Sequence, residues 1–399
     1  MNIAFFTECE CSPTKGGTER TTSLIAESLA DIYGFSCHSI FTLPAEDCEK
    51  SKIFRSSLRV GYSEEYDQAL AAYIRSNNIS VIINQGDFYF CQSLYRTIRR
   101  YDLKCRQIFA LHFMPGSGEE ALISFKETCR IWLRHPFSKD FLKVAFYPVY
   151  YRFASKRFRC NYRLAEKCSD RLVLLSSSFK SVWQSYAYGT SESSGSQEFS
   201  IIPNGLTFDH FADNEEIKAK EKRILIVSRL DERQKRLSKA LKIWMLVSEM
   251  PGMEEWHLDI VGDGPDRNLY NCMVRNNKIE RVSFHGRQNP CLYYSRSALF
   301  MMTSDYEGFG MTLTEASQYG VVPFAFNTYP ALADIISDGE NGVVIPPGNI
   351  KLYATKLADL ALNQESRLKM ASRAVENSKR FKRDIIATKW YHLINEITD

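Results

Sequence analysis

The sequence predicts an α/β protein made of two doubly wound domains. Short apolar runs of strand length alternate with helical patterns almost from end to end. At 399 residues the chain exceeds what one ordinary core holds. Its balance of 44% hydrophobic and 25% charged residues is that of a globular protein. Strands alternating with helices imply right-handed crossovers and parallel sheets covered on both faces.

In the first half the strand runs are Asn2–Thr7, Cys37–Thr42, Ser80–Asn84, Arg106–Leu111 and Arg171–Leu175. Those of the second half are Arg223–Ser228, His257–Val261, Val282–His285, Ala298–Met302, Val321–Ala325 and Val343–Ile345. A polar stretch, Ser191–Gln197, reads as a surface loop and precedes a short strand that turns at Pro203-Asn204-Gly205. The boundary is therefore set between 191 and 222, giving domains 1–205 and 206–379. Apolar residues at helical spacing from Ile385 to Ile397 predict a terminal helix, within 380–399, that packs back on the first domain.

The net charge of +4 is too small to indicate nucleic acid by itself. Eleven cysteines occur without a CxxC pair, so most are expected to be small buried hydrophobes in a reducing compartment, with no metal or disulfide framework. No run of about 18 apolar residues suggests a membrane span, and the N-terminus reads as a first strand rather than a signal peptide. A cytoplasmic location is expected.

The motifs fall at predicted strand ends. Lys15-Gly16-Gly17-Thr18 follows strand one and opens a helix, a place where backbone can approach an anion; the plainer reading makes Thr18 an N-cap. Leu111-His112 ends a strand beside a Pro-Gly turn. Arg229, Arg233, Lys235 and Arg236 follow another, as a clamp for a diphosphate or as a solvated basic loop. Gly262-Asp263-Gly264-Pro265 lacks the third glycine of a dinucleotide fingerprint and reads as a tightly packed turn. Most informative is Ser304–Ala316, where Glu307 and Glu315 flank Gly308-Phe309-Gly310 between a strand and a helix. Thr312-Leu313-Thr314-Glu315 also has the form of a capping box, in which Glu315 would serve its own helix.

The ordered set, from Gly16-Gly17 through His112, Pro203-Asn204-Gly205, Arg229, Lys235 and Gly262-Asp263-Gly264-Pro265 to Glu307 and Glu315, resembles the family 4 retaining glycosyltransferases of the GT-B fold. The resemblance implies two Rossmann-like domains facing across a cleft, the first on the acceptor side and the second binding the donor. It implies transfer of a hexosyl-type sugar from a nucleotide diphosphate sugar, UDP-sugars first, to a saccharide or lipid-linked saccharide in cell-surface glycan synthesis. By the same resemblance, Glu307 holds donor-sugar hydroxyls and His112 contacts the donor sugar. Backbone N–H groups of Phe309, Gly310, Met311, Thr312 and Leu313 contact sugar and phosphates. Glu315 accepts from the ribose, Arg229 and Lys235 neutralise the leaving diphosphate, and Gly16 and Gly17 approach the phosphate from the first domain. No cofactor or metal is implied. Family members usually carry Gly after the clamp lysine; here Arg236 stands there, so Arg233, Lys235 and Arg236 all remain candidates for the phosphate contact.

One segment stands apart. Residues 125–167 carry 11 basic side chains against Glu127, Asp140 and Glu166, with aromatics interleaved. This suits an anionic membrane surface, or else a helical excursion whose aromatics fill the first core; no nucleic-acid motif accompanies it. The alternatives to transfer are a GT-B-type nucleotide-sugar epimerase, which would act without an acceptor, and a non-catalytic nucleotide-sugar binding protein.

Overall fold

Two parallel sheets organise the chain. The computed structural model describes residues 1–12, 17–44, 51–134, 140–189 and 198–399. They form two compact units, one of residues 1–205 with 383–399, the other of residues 206–382. The polar loop 191–197, with Lys15 and Gly16, lies outside the described residues.

In the first unit the strands are β1 (Asn2–Cys9), β2 (Ser36–Leu43), β3 (Ser57–Arg59), β4 (Ile79–Asn84), β5 (Arg106–Leu111), β6 (Arg171–Leu174) and β7 (Phe199–Ile201). Their order is β3-β2-β1-β4-β5-β6-β7, with every pairing parallel. Side chains alternate across this sheet with the two-residue period of a strand. Ile3, Phe5, Val81 and Ile83 face one core, while Ala4, Phe6 and Ile82 face the other. Burial on both faces is why the strands read as unbroken apolar runs.

The edge strand β3 carries no such run. Only Leu58 of its three residues is even partly buried, so no apolar pattern announces it. The strand expected at Ile201–Gly205 sits slightly earlier, at Phe199–Ile201, because Pro203 cannot donate to a ladder. Only four of the ten described cysteines are buried, contrary to expectation. Cys160 and Cys272 are exposed on the outer sides of their helices.

The terminal helix, Arg383–Thr398, lies inside the expected span 380–399 and follows a single tight turn at Lys379–Phe381. Ile386, Trp390, Leu393 and Ile394 enter the same core as Ile3 and Phe5. Tyr391 stacks on Tyr33 at 4.1 Å.

The second unit holds β8 (Glu221–Val227), β9 (His257–Val261), β10 (Val282–Gly286), β11 (Ser297–Met302), β12 (Val322–Phe326) and β13 (Val343–Ile345). The order is β10-β9-β8-β11-β12-β13, again wholly parallel. Ile224, Ile260, Met301 and Phe324 pack with Trp244, Trp256 and Tyr353 in its core.

Trp390 is 1% exposed and contributed by the last helix. Trp390→Ala is expected to cost the first unit about 3–5 kcal/mol, read as a lower urea midpoint for that unit.

Candidate active site

Strand order fixes where a site can form in the second unit. From β8 the chain moves toward β9 and β10; from β11 it moves the other way, toward β12 and β13. Crossovers therefore leave neighbouring strands in opposite directions, and a crevice opens at their carboxyl ends. The segments that line it are Ser228–Arg236, after β8, and Thr303–Gly310, after β11.

The Gly-Asp-Gly-Pro turn is the floor of the first segment. Gly262 has φ +135°, and a Cβ there would lie 1.9 Å from the Ser228 carbonyl oxygen. At Gly264 a Cβ would meet the Leu230 carbonyl at 2.5 Å. Backbone thus packs on backbone, and the Leu230 N–H donates to the Asp263 carbonyl at 3.0 Å. This is the packing role the sequence suggested.

Above that floor the two segments are stitched together. Asp305 N–H donates to the Gln234 carbonyl at 2.8 Å, and Gln234 Nε2 donates to the Tyr306 carbonyl at 3.1 Å. Thr303 Oγ1 donates to the Lys235 carbonyl at 3.1 Å. The stitching brings Lys235 Nζ to 2.5 Å from Glu307 Oε1, which also accepts from Ser304 Oγ at 2.6 Å. The pair is largely out of water, with side chains 19% and 8% exposed. Lys235 and Glu307 line a small recess with Ser228 and Thr312. Ser228 Oγ is shielded from solvent and has no hydrogen-bond partner among the described residues.

Of the three cations left open by the sequence, Arg236 is committed elsewhere. Its guanidinium bonds Asp305 and stands 3.7 Å from Glu232, and Lys239 reaches the same Asp305 at 2.5 Å. Its backbone has φ +51°, the left-handed region where glycine is at ease and other residues are strained by roughly 1 kcal/mol. Arg229 is 57% exposed and lies 2.9 Å from Asp231. Tyr306, half-buried, titrates higher than usual through desolvation, and Arg229, Arg233, Asp231 and Glu307 all act on it electrostatically. Arg229 Nη2 reaches Gln234 Oε1 at 3.4 Å, and no bond joins Arg229 to Glu307 among the described residues.

The second segment ends at Gly310, with φ +95°, which caps the helix Met311–Gln318. A Cβ at Gly310 would meet the Tyr329 hydroxyl at 2.5 Å. That hydroxyl donates to the Phe309 carbonyl at 3.3 Å. The N–H groups of Phe309, Gly310 and Thr312 meet no acceptor among the described residues, whereas that of Leu313 donates to the Gly310 carbonyl at 2.9 Å. A helix start with open donors favours an anion.

Two local readings are corrected here. No capping box forms at Thr312–Glu315, because the helix begins at Met311 and places Thr312 inside it. Glu315, 1% exposed, instead accepts from Thr207 Oγ1 at 2.6 Å and from the Tyr294 hydroxyl at 3.0 Å. Likewise Thr18 does not cap, since the first helix is Gly17–Tyr33. The sequence reading missed Ser304, Asp305, Thr207 and Tyr294. Adjacency to Glu307 was the available signal for the first two; the others come from distant segments and gave none.

His112 follows β5 in the first unit. Its Nε2–H donates to Gln85 Oε1, and Gln85 follows β4. Desolvation lowers its pKa to about 4, partly offset by the Asn204 side chain. The imidazole is thus neutral at pH 7, with Nδ1 as its acceptor nitrogen. A folded pKa below the unfolded value of about 6.5 means that protonation opposes folding. Stability is then full above pH 6.5 and declines as pH falls toward 4. The expected result is an imidazole 15N signal for His112 that stays neutral down to about pH 5, where an ordinary histidine is already protonated.

Residues 208–377 match the family Glycosyl transferases group 1. The chain is 30% identical over 178 residues to the amylovoran biosynthesis glycosyltransferase AmsD of Erwinia amylovora, covering 44% of this chain and 49% of that protein. It thus spans about half the length of that relative. The lipopolysaccharide outer core galactosyltransferase WaaB superposes with TM-score 0.68 at 19% identity, over 99% of both chains. Anabaena Alr3699/HepE, in complex with UDP-glucose, superposes with TM-score 0.69 at 16% identity, over 99% of this chain and 100% of that one. Both likenesses concern the fold. The chain has the GT-B fold, and residues 208–377 of its second unit match the group 1 glycosyl transferase family.

Proposed function

We propose that the protein is a retaining glycosyltransferase that moves a hexosyl-type sugar from a UDP-sugar to a saccharide or lipid-linked saccharide, in the synthesis of a surface glycan. One observation carries this reading: the shielded Lys235–Glu307 pair, set beside a Ser228 hydroxyl and N–H groups of Phe309, Gly310 and Thr312 that have no partner among the described residues. A cation, an acid and free amide donors in one recess are what a sugar diphosphate requires. Supporting it are the group 1 match over 208–377 and the fold shared with a protein solved with UDP-glucose.

In this reading the diphosphate enters over the amides of Phe309, Gly310 and Thr312 and draws Lys235 away from Glu307. Glu307, released, accepts from the sugar hydroxyls and orients the anomeric carbon. The bond from that carbon to the phosphate oxygen breaks, leaving an oxocarbenium-like sugar. Lys235 and Arg229, with the helix dipole, stabilise the charge that develops on the leaving group. The acceptor hydroxyl attacks from the face the phosphate leaves, and its proton passes to the departing oxygen. Glu315, oriented by Tyr294 and Thr207, takes the role of acceptor for the ribose hydroxyls. His112 keeps the role of a neutral acceptor toward the donor sugar, and Gly17 that of a close backbone approach to phosphate.

Glu307→Gln tests the assignment. Release of nucleotide in the presence of acceptor should fall roughly a hundredfold or more, with the melting temperature little changed. Unaltered turnover removes Glu307 from the mechanism, and turnover with no acceptor present favours the epimerase. The side-chain cations and amides are proposed to suffice without a metal, so the rate should be the same in EDTA. Among UDP-, GDP- and ADP-sugars, the true donor at about 100 times its Kd should stabilise the protein by roughly 2.7 kcal/mol in a thermal-shift measurement.

A further inference from the structure

Between β5 and β6 the described residues of the first unit form four helices, Ser117–Ile123, Phe125–Arg134, Asp140–Ala145 and Tyr147–Cys168. Nine of the twenty large apolar side chains exposed among the described residues lie between Leu122 and Phe153. The most exposed are Phe153 at 70%, Leu133 at 68% and Phe146 at 60%. Singly scattered apolar residues need no explanation, but such a concentration does. Nor is the segment loosely held. The Phe125 ring packs edge-on to Tyr147 at 5.0 Å, and the Tyr147 hydroxyl donates to the Ile123 carbonyl at 3.0 Å. The Tyr151 hydroxyl donates to Glu120 Oε2 at 2.7 Å. A firm base thus presents apolar side chains to water.

The outer stripe of the longest helix changes character along its length. It runs Val149, Arg152, Phe153, Lys156, Arg159 and Arg163, at the spacing of one helical face. Both apolar members lie in its first half and the last three positions are cations, over about 21 Å of helix at 1.5 Å per residue. Arg152, Lys156, Arg159 and Arg163 line one groove beside the helix Ser178–Tyr188, with Tyr151 and Tyr188. None of the four cations has a carboxylate partner among the described residues. Glu166, which could have opposed them, is buried and accepts from Trp183 Nε1 at 2.6 Å and from the Tyr188 hydroxyl.

We propose that this face docks on an anionic lipid bilayer. Phe146, Val149 and Phe153 enter the boundary between headgroups and acyl chains, while Arg152, Lys156, Arg159 and Arg163 hold lipid phosphates at headgroup depth. The charge pattern selects this occupant. A second copy meeting the first by the same face would set four unpaired cations near four more, which opposes a symmetric contact. A nucleic acid would satisfy the cations but leave the phenylalanines in water. A bilayer carrying anionic headgroups satisfies both. The inference is independent of the proposed chemistry, which lies in the other unit.

The test is flotation of the full chain with vesicles of phosphatidylcholine alone, or of phosphatidylcholine mixed with phosphatidylglycerol. The protein should float with the mixed vesicles, remain at the bottom with the neutral ones, and be released by high salt. Phe146→Glu with Phe153→Glu, and separately Lys156→Glu with Arg159→Glu, should each lower the bound-to-free ratio at least about tenfold, given roughly fivefold per cation at an anionic surface. All four side chains are on the surface, so circular dichroism and melting should match the parent, as should transfer to a water-soluble acceptor. Wild type left at the bottom with both vesicle types overturns the proposal, as does flotation unchanged by either double variant. A lipid-free dimer abolished by the phenylalanine variant also overturns it and assigns the face to a second copy.

Discussion

The second unit depends on one topological constraint: β8 and β11 lie side by side while their crossovers depart in opposite directions. Parallel strands send all their carboxyl ends to one edge, and only at such a divergence does no helix roof that edge. Ser228, Arg229 and Lys235 reach it from one strand, Ser304, Glu307 and Gly310 from the other. Residues some seventy positions apart in sequence become partners because two adjacent strands deliver them to the same gap.

Within that gap the Lys235–Glu307 pair is strongly conditional. Two charges held out of water stabilise one another only while both are present; a single one is left costly. On the proposed chemistry, a diphosphate would compete for a lysine that already has a counter-charge, and the acid it uncovers would need donors of its own, which sugar hydroxyls can supply. The pair would then couple recognition of phosphate to recognition of sugar.

Much of this was legible in the sequence, for identifiable reasons. Strands buried on both faces declare themselves as apolar runs, so β1, β4, β5, β8 and β11 were readable. Glycines at 262 and 310 were readable because their conformations leave little choice. The exposed edge strand Ser57–Arg59 was not, having no buried pattern to display. Side-chain allegiance was the least legible layer. Whether Arg236 faces a ligand or Asp305 depends on a partner sixty-nine positions away, and local sequence gave Glu315 a capping role that Thr207 and Tyr294 override. The plainer reading of the basic segment also fails in part. Tyr162 is fully buried, but Phe125, Phe146 and Phe153 do not fill the core.

The first unit is discontinuous, opened at Gly205 and resumed only at Arg383. A ribosome delivers Ile3 and Phe5 long before Ile386, Trp390 and Ile394, the residues that complete their core. Until that helix emerges, this face of the leading sheet is covered only in part, by Ile25, Ala26 and Leu29 of the first helix, while the intervening unit, whose residues are contiguous, is free to fold. Nascent chains should consequently rely on holding factors until Arg383–Thr398 has emerged, and a stop before Arg383 would harm the unit that was begun first.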